Sequence, residues 1–184
     1  MMVLKLPRTI RLDPSDSFVF EHPAEPGEWA VTGSFLFWDA DVANLAGKAR
    51  AAFRSGFVGV VSLGFSTLVT VTEASEAERD AAVEGLAGHI LERFGAPDRN
   101  AARAAAREEV DFAASLCDHP VNTIIAMHRR LEGNEIREQF RTLQPRDTGT
   151  DRLHAHARAF TFVEAEEEPA EEVDLLGLLE SKRP

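Results

Sequence analysis

The chain has 184 residues, of which 44% are hydrophobic and 28% are charged, and this composition indicates a folded globular protein rather than a disordered one. A single cysteine excludes an internal disulfide, and no apolar run approaches the roughly 20 residues of a membrane span. The net charge is −11 and no concentrated basic face is evident, so neither nucleic acid nor a membrane is an expected partner.

The first forty residues predict β structure. Residues 17–21 (SFVFE) alternate briefly, as in a short strand, and the prolines and glycine of residues 22–28 predict a turn. Residues 29–38 (WAVTGSFLFW) predict a long strand. One bulky apolar face of this strand would consist of Trp29, Val31, Phe35 and Phe37. The opening segment, MMVLKLPRTIRLDP, lacks the apolar centre of a signal peptide, so we expect a cytoplasmic location.

A helix and a further strand are predicted next. The helix covers about residues 41–54, with Asp41 as its N-cap and Gly56 as a left-handed C-cap. Residues 57–73 are rich in β-branched side chains, and their later half predicts a strand.

Two helices follow in the middle of the chain. Ser75 and Glu78 have the spacing of a capping box, and Gly95 closes the first helix. Its buried stripe is predicted to be Val83, Leu86, Ile90 and Phe94. The second helix runs from about Asp98 to about Cys117, and its many alanines favour close packing against a neighbour.

The last part of the domain predicts a β-hairpin. Two strand-like stretches flank EGNE (132–135), where Gly133 and Asn134 can adopt the positive φ angles of a tight turn. Alternation over residues 152–164 favours one more strand, and the charged stretch behind it is too polar to bury.

This order of elements predicts an α+β fold with an antiparallel or mixed sheet of about five to six strands, packed by three helices. We divide the chain into a single α+β domain (1–145), a linker that can hold the extra strand (146–163) and an acidic tail with a leucine-rich docking segment (164–184).

The only cysteine lies in SLCDHPVN (115–122), beside Asp118 and His119. Steps of three and four residues back along its helix meet only apolar side chains, so Cys117 is predicted to extend the core stripe as a small hydrophobe. The alternative is a reactive thiol, with His119 supplying the positive charge that a thiolate needs.

His154 and His156 would share one face of a strand, close enough to bind a common metal ion. Arg158 continues that face, and no acid or cysteine has ligand spacing to the pair. We therefore predict no metal site, and no residue is assigned to a cofactor.

Gly59 and Gly64 have the glycine spacing of a phosphate-binding loop, but Phe65 stands where that motif requires lysine. Ser62 does not fit a nucleophile elbow, because Val60 stands where that motif requires glycine. These glycines are predicted to allow a bend or a bulge.

Arg99, Arg103 and Arg107 repeat every four residues along one helix. This row is a candidate binding site for an acidic partner, including the tail of this same chain. The simpler interpretation is a solvated face in which Arg107 pairs with Asp111.

The tail combines the acidic stretch EAEEEPAEE with the apolar segment VDLLGLLE, and residues 164–184 carry a net charge of −6. Its leucines are too apolar to sit comfortably in water, so they are predicted to bind a protein partner, the chain's own domain or a second copy. The alternative is a mobile tail. The partner-binding residues are predicted to be Leu175, Leu176, Leu178 and Leu179.

Several stretches resemble a small uncharacterised family of bacterial proteins, a domain of unknown function found mostly in proteobacteria. They are LKLPRTIRLDPSD, EPGEWAVTGSFLFWD, GKARAAFRSGF, FAASLCDHP and IREQFRTLQP, and they span about residues 4–145. The resemblance implies no activity or catalytic residue. It does imply a loose association with the assembly of molybdenum-dependent oxidoreductases.

We therefore predict an accessory or interaction protein that acts through protein–protein contacts and carries no catalytic residues. An enzyme that uses a cleft formed by Cys117 and His119 is one alternative. A small-molecule-binding module is the other, if the aromatic side chains of residues 29–38 enclose a pocket.

Overall fold

Two antiparallel sheets and two long helices organise the chain, in a computed structural model that describes residues 2–145 and 160–162. Four α-helices and two 3₁₀ helices alternate with eight strands within these residues. In chain order the elements are β1 (Lys5–Ile10), α1 (Asp16–Val19), β2 (Ala30–Val31), a 3₁₀ helix (Ser34–Phe37), a second 3₁₀ helix (Val42–Asn44), α2 (Gly47–Ser55), β3 (Phe57–Gly59), β4 (Phe65–Ser66), β5 (Leu68–Glu73), α3 (Glu76–Arg93), α4 (Arg99–Ser115), β6 (Ile124–Glu132), β7 (Glu135–Pro145) and β8 (Phe160–Phe162).

The larger sheet has the strand order β1-β5-β6-β7-β8, and every neighbouring pair in it is antiparallel. The smaller sheet joins β2, β3 and β4, also antiparallel. This arrangement confirms the predicted α+β fold. The strand β8 lies within the stretch predicted to hold one more strand, whereas residues 146–159 and 163–184 lie outside the described residues. None of the helices in the described part of the chain is long and apolar enough to cross a membrane.

The main core lies where α3 and α4 pack against each other and against the strands. Small alanines and larger aliphatic side chains interdigitate there, so the two helices approach closely, as the alanine-rich composition predicted. The fully buried members include Val31, Val58, Leu86, Ala102, Ala106 and Ala113.

The predictions for α3, α4 and the β6–β7 hairpin are confirmed, and local capping and turn residues account for them. Ser75 and Glu78 form both halves of a capping box at the start of α3, and Asp98 caps α4 by accepting from the Ala101 N–H at 2.8 Å. The loop between β6 and β7 has two residues, and Gly133 adopts φ +62°. Asn134 has no positive φ, so the glycine alone supplies the left-handed residue of this turn.

The strand predicted at residues 17–21 is wrong, because the short helix α1 occupies this position. The Asp13 carboxylate accepts from the Ser15 N–H at 2.8 Å and turns the chain. Asp16 is buried, and its carboxylate accepts from the hydroxyl and the N–H of Thr67 at 2.5 and 3.2 Å. These polar contacts override the weak alternation of the sequence.

The long strand predicted at residues 29–38 is also wrong, since β2 ends at Val31. Gly33 adopts φ +83°, and a Cβ atom there would lie 2.2 Å from a methyl group of buried Val58. Only glycine fits this position, and it turns the chain into the 3₁₀ helix Ser34–Phe37. Phe35 and Phe37 are buried as predicted, but they are not neighbours on one strand face.

The predicted helix at 41–54 is shorter, because α2 begins at Gly47. Asp41 does not cap it, and its carboxylate accepts from the Asn44 side chain at 2.7 Å instead. Gly56 has φ −89°, so the left-handed cap was wrong. This glycine is needed because a Cβ atom would lie 2.5 Å from the Phe65 ring.

Phe94 was predicted to belong to the buried stripe of α3. It lies at the end of this helix, and 41% of its surface is exposed.

Candidate functional site: an arginine groove

Strand β6 extends beyond its neighbour β5. The last pair between these strands joins Leu68 and Ala126, so residues 127–132 pair only with β7. Helix α2 packs beside this extended part of β6. The edge between α2 and β6 is therefore closed by side chains rather than by backbone hydrogen bonds.

Arg129 lies at the centre of this edge and is 0% exposed. Its guanidinium donates to Glu138 at 3.1 Å, to the Phe53 carbonyl at 2.9 Å and to the Thr32 carbonyl at 2.5 Å. It also lies over the rings of Phe37 and Phe53, 5.2 and 5.8 Å from their centroids. Burial lowers the pKa of Arg129, and Glu138 opposes this shift. One buried cation thus joins β6, β7, α2 and the segment after β2.

The residues beside Arg129 in sequence face the other way, because successive strand side chains alternate between the two faces of a sheet. His128 and Arg130 open into a cavity of about 760 Å³ between α2 and the β6–β7 hairpin. Arg50 and Arg54, one turn apart on α2, form the opposite wall, and Arg141 on β7 closes one side. We call this cavity the arginine groove, defined by Arg50, Arg54, His128, Arg130 and Arg141.

Charge sets the groove apart from the rest of this acidic chain. Among the described residues that line it, none is an aspartate or a glutamate. Arg50, Arg54 and Arg141 are exposed, and Arg130 is half-buried with a carboxylate oxygen of Glu132 at 3.8 Å. Between the cations lie apolar side chains, including Val42, Leu45, Phe53 and Met127. The groove therefore offers both positive charge and an apolar surface.

Sequence reasoning missed this groove because its cations come from distant parts of the chain. Arg50 and Arg54 precede Arg141 by almost half the sequence, and neither segment is basic enough to stand out alone. The available signal was the sequence His128-Arg129-Arg130 within a predicted strand. Its period of two requires adjacent arginines to face opposite sides, so one of them had to be buried or paired.

Cys117 lies where the sequence predicted, in the core, at 2% exposure. Its neighbours there are apolar and include Phe57, Val69 and Ile125. Burial raises the pKa of the thiol to about 12, although Lys5 opposes this shift. Asp118 is exposed and His119 is half-buried, and the Lys5 ammonium donates to the His119 carbonyl at 2.7 Å. A thiolate in this environment is strongly disfavoured.

Replacing Cys117 by alanine should therefore lower the free energy of unfolding by about 1 kcal/mol, through a small cavity. The native thiol should resist labelling by a water-soluble disulfide reagent, and the thiol should react rapidly once urea unfolds the chain. Rapid labelling of the folded protein would contradict the buried position.

The row Arg99, Arg103 and Arg107 is partly engaged within the fold. Arg99 and Arg103 both contact Glu84 of α3, at 2.8 and 2.5 Å. Arg107 is exposed, and its expected partner Asp111 pairs with Arg79 of α3 instead. The first two arginines thus connect the helices. The proposed partner-binding role of the row stays a prediction.

The glycine loop after β3 does bind an anion, but the anion belongs to the chain itself. The Glu28 carboxylate accepts from the N–H groups of Val61 and Ser62, at 3.1 and 2.8 Å, and from the Ser62 hydroxyl at 2.8 Å. Gly64 is required because a Cβ atom there would lie 2.7 Å from the backbone of Pro23 and Ala24. The loop is therefore a closed structural turn rather than a phosphate site.

Two sequence-predicted features lie outside the described residues. These are the pair His154 and His156, and the leucines of the tail. Within residues 2–145 and 160–162, no group of three or more histidine, cysteine or acidic side chains is placed to hold a metal ion.

Comparison with known proteins gives one family. Its sequence model, described as "Family of unknown function (DUF6505)", matches residues 2–161. No curated protein and no solved structure matches the sequence. The match confirms the resemblance to an uncharacterised family, and it ends before the acidic tail. Any function must therefore be argued from the site itself.

Proposed function

We propose that this chain, which belongs to the DUF6505 family of unknown function, binds an acidic, leucine-bearing protein segment in its arginine groove. The observation that carries the proposal is the composition of the groove, in which cations alternate with apolar side chains and no described lining residue is acidic. The proposed function is therefore protein–protein binding, as expected of an accessory protein.

Electrostatics support a short acidic segment as the ligand. Exposed arginines at one site attract carboxylates over about one Debye length, near 8 to 10 Å at physiological salt. A net charge of −11 for the whole chain opposes a long polyanion, which would extend beyond the groove. A segment of a few residues can contact the cations of the groove without approaching the acidic residues on the rest of the chain.

The apolar part of the groove supports leucines beside the acids. Val42 and Leu45 precede α2, and each is half-buried beside the cations. Covering such side chains with leucine supplies hydrophobic contact that charge alone does not. The chain's own residues 164–184 have this chemistry, so they serve as a probe of the groove and are its nearest competitor.

The pairing of β8 with β7 supports the tail as a competitor for the groove. β8 pairs with β7 through Leu143 and Phe162, and the chain direction there leads along β7 toward Arg141. The same antiparallel register, continued by two residues, would set Glu164 opposite Arg141. We propose that residues 164–184 occupy the groove until a partner with a similar segment displaces them. In this proposal the tail leucines contact the apolar side chains of the groove.

A labelled synthetic peptide of residues 164–184 tests the groove by fluorescence anisotropy. We expect it to bind a chain truncated after Val163, and we expect added salt to weaken this binding. The double substitution Arg54→Glu with Arg141→Glu should lower the affinity at least about tenfold. The full chain should bind the peptide more weakly than the truncated chain, since its own tail competes.

The matched control is Lys48→Glu with Arg93→Glu, which changes the net charge equally at exposed positions outside the groove. Equal losses in the two double variants would reduce the effect to overall charge and reject the groove as the site. Circular dichroism melts of each variant separate loss of binding from loss of folding.

The resemblance to a family associated with molybdenum-dependent oxidoreductases suggests a setting for this binding. We propose that the partner segment belongs to a component of such an oxidoreductase or of its assembly machinery. Direct titration with candidate components, using the same double variants, would test it.

A further inference from the structure

A second cavity, separate from the arginine groove, opens where α3 ends and α4 begins. It measures about 320 Å³, within the lower range of small-molecule sites. Its wall is mostly apolar and comes from the 3₁₀ helix Ser34–Phe37, the end of α3 and the first turns of α4. Among its lining residues are Phe35, Ile90, Phe94, Pro97, Ala101 and Ala105.

Aromatic rings form one side of this cavity. Phe35 is buried and packs edge-to-face with Phe94, with 5.3 Å between ring centroids. Trp38 lies at the rim and is 70% exposed. Phe94, which also lines the cavity, is 41% exposed, so aromatic surface of both residues is accessible to a ligand. Such faces attract organic cations, most strongly in the case of tryptophan.

Carboxylates supply the charge of the cavity. Asp39 and Glu109 both line it, and among the described lining residues there is no lysine, arginine or histidine. Within the described part of the chain, no hydrogen bond or ion pair engages the Glu109 carboxylate, although this residue is half-buried. Its charged form lacks the partner that a carboxylate in such a position needs. Burial and the nearby Glu138 raise the pKa of Glu109 to about 7, as expected for that deficit.

From this combination we infer that the cavity binds a small organic ammonium ion with an apolar body. The ammonium would lie between Trp38 and the carboxylates of Asp39 and Glu109. The apolar body would rest on Phe35, Phe94 and the alanines of α4. The cavity is too small for a folded segment, which favours a free small molecule over a peptide. This inference is independent of the arginine groove, because the two cavities share no lining residue.

Benzyltrimethylammonium is a suitable probe, since it joins a cationic head to an apolar ring. Titration of the full chain at pH 8, followed by tryptophan fluorescence and by calorimetry, should show saturable binding. Benzyl alcohol and phenylacetate, which have a similar ring but no positive charge, should bind at least about fivefold more weakly.

Two variants test the residues. Glu109→Gln keeps the shape of the side chain and removes its charge, and Trp38→Ala removes the exposed ring, so each should weaken binding of the ammonium probe at least about fivefold. Glu92→Gln is the matched control at an exposed position outside the cavity, and it should leave binding unchanged. Equal binding of the neutral and cationic probes, an unchanged affinity in Glu109→Gln, or no binding at all to the native chain would overturn the inference.

Discussion

Replacing Arg129 by methionine is expected to lower the free energy of unfolding by about 3 to 5 kcal/mol, the cost of leaving one member of a buried ion pair alone. The guanidinium now satisfies Glu138 and the carbonyl oxygens of Thr32 and Phe53. Methionine fills much of the volume but donates no hydrogen bond, so three acceptors lose their partner. Urea denaturation followed by circular dichroism measures the loss.

Arg141→Met is the control for this prediction. Arg141 lies on the neighbouring strand β7, where it is exposed at the arginine groove. Its substitution should change the free energy of unfolding by at most about 0.5 kcal/mol. Similar losses in both variants would mean that Arg129 is not the specific connection described above. Adding Glu138→Leu to Arg129→Met should restore part of the stability, because no unpaired charge is then buried.

The second large effect concerns Glu109 and pH. Its pKa is raised from 4.5 to about 7, first by burial, then by the charge of Glu138, with Arg129 opposing and Glu108 adding slightly. Between these two pH values the folded chain holds a proton that the unfolded chain has released. The folded state binds more protons, so stability falls as pH rises through this window. The loss should reach about 3 kcal/mol by pH 8, at about 1.4 kcal/mol for each unit of the pKa difference.

Glu109→Gln removes this titration. The variant should be more stable than the native chain at pH 8, and its free energy of unfolding should change less between pH 5 and pH 8. Urea denaturation at several pH values measures both quantities, and Glu92→Gln serves as the control. A native chain that gains stability over the same interval, with no difference in Glu109→Gln, would contradict the buried position of this carboxylate.

Elements that local chemistry specifies were predictable from the sequence. A hydrophobic period with a cap at its start was enough for α3 and α4, and a two-residue turn between alternating stretches was enough for the β6–β7 hairpin. The failures fell where distant contacts decide. Asp16–Val19 form a helix because Thr67 satisfies Asp16, and β2 ends early because Val58 leaves no room beside Gly33. Neither partner is visible in the local pattern.

The same distinction explains the sites. The buried position of Cys117 followed from its helical stripe, which is a local property. The arginine groove required α2 to lie beside the extended part of β6, and no period in the sequence encodes that contact. The cavity beside Trp38 depends on the turn at Gly33. The sequence pattern predicted an unbroken strand there, so it could not indicate this cavity.

The alternation of β6 also links the folding of this domain to what its surface can recognise. Arg129 and Arg130 are adjacent, yet one holds the interior together and the other faces the groove. An insertion of one residue ahead of His128 would set His128 opposite Glu138 and turn Arg129 toward the groove. An imidazole has two ring nitrogens, so it cannot satisfy Glu138 together with the Thr32 and Phe53 carbonyls. A one-residue shift of β6 would thus change the buried arginine contacts and the lining of the groove together. The register of this strand therefore fixes both features at once.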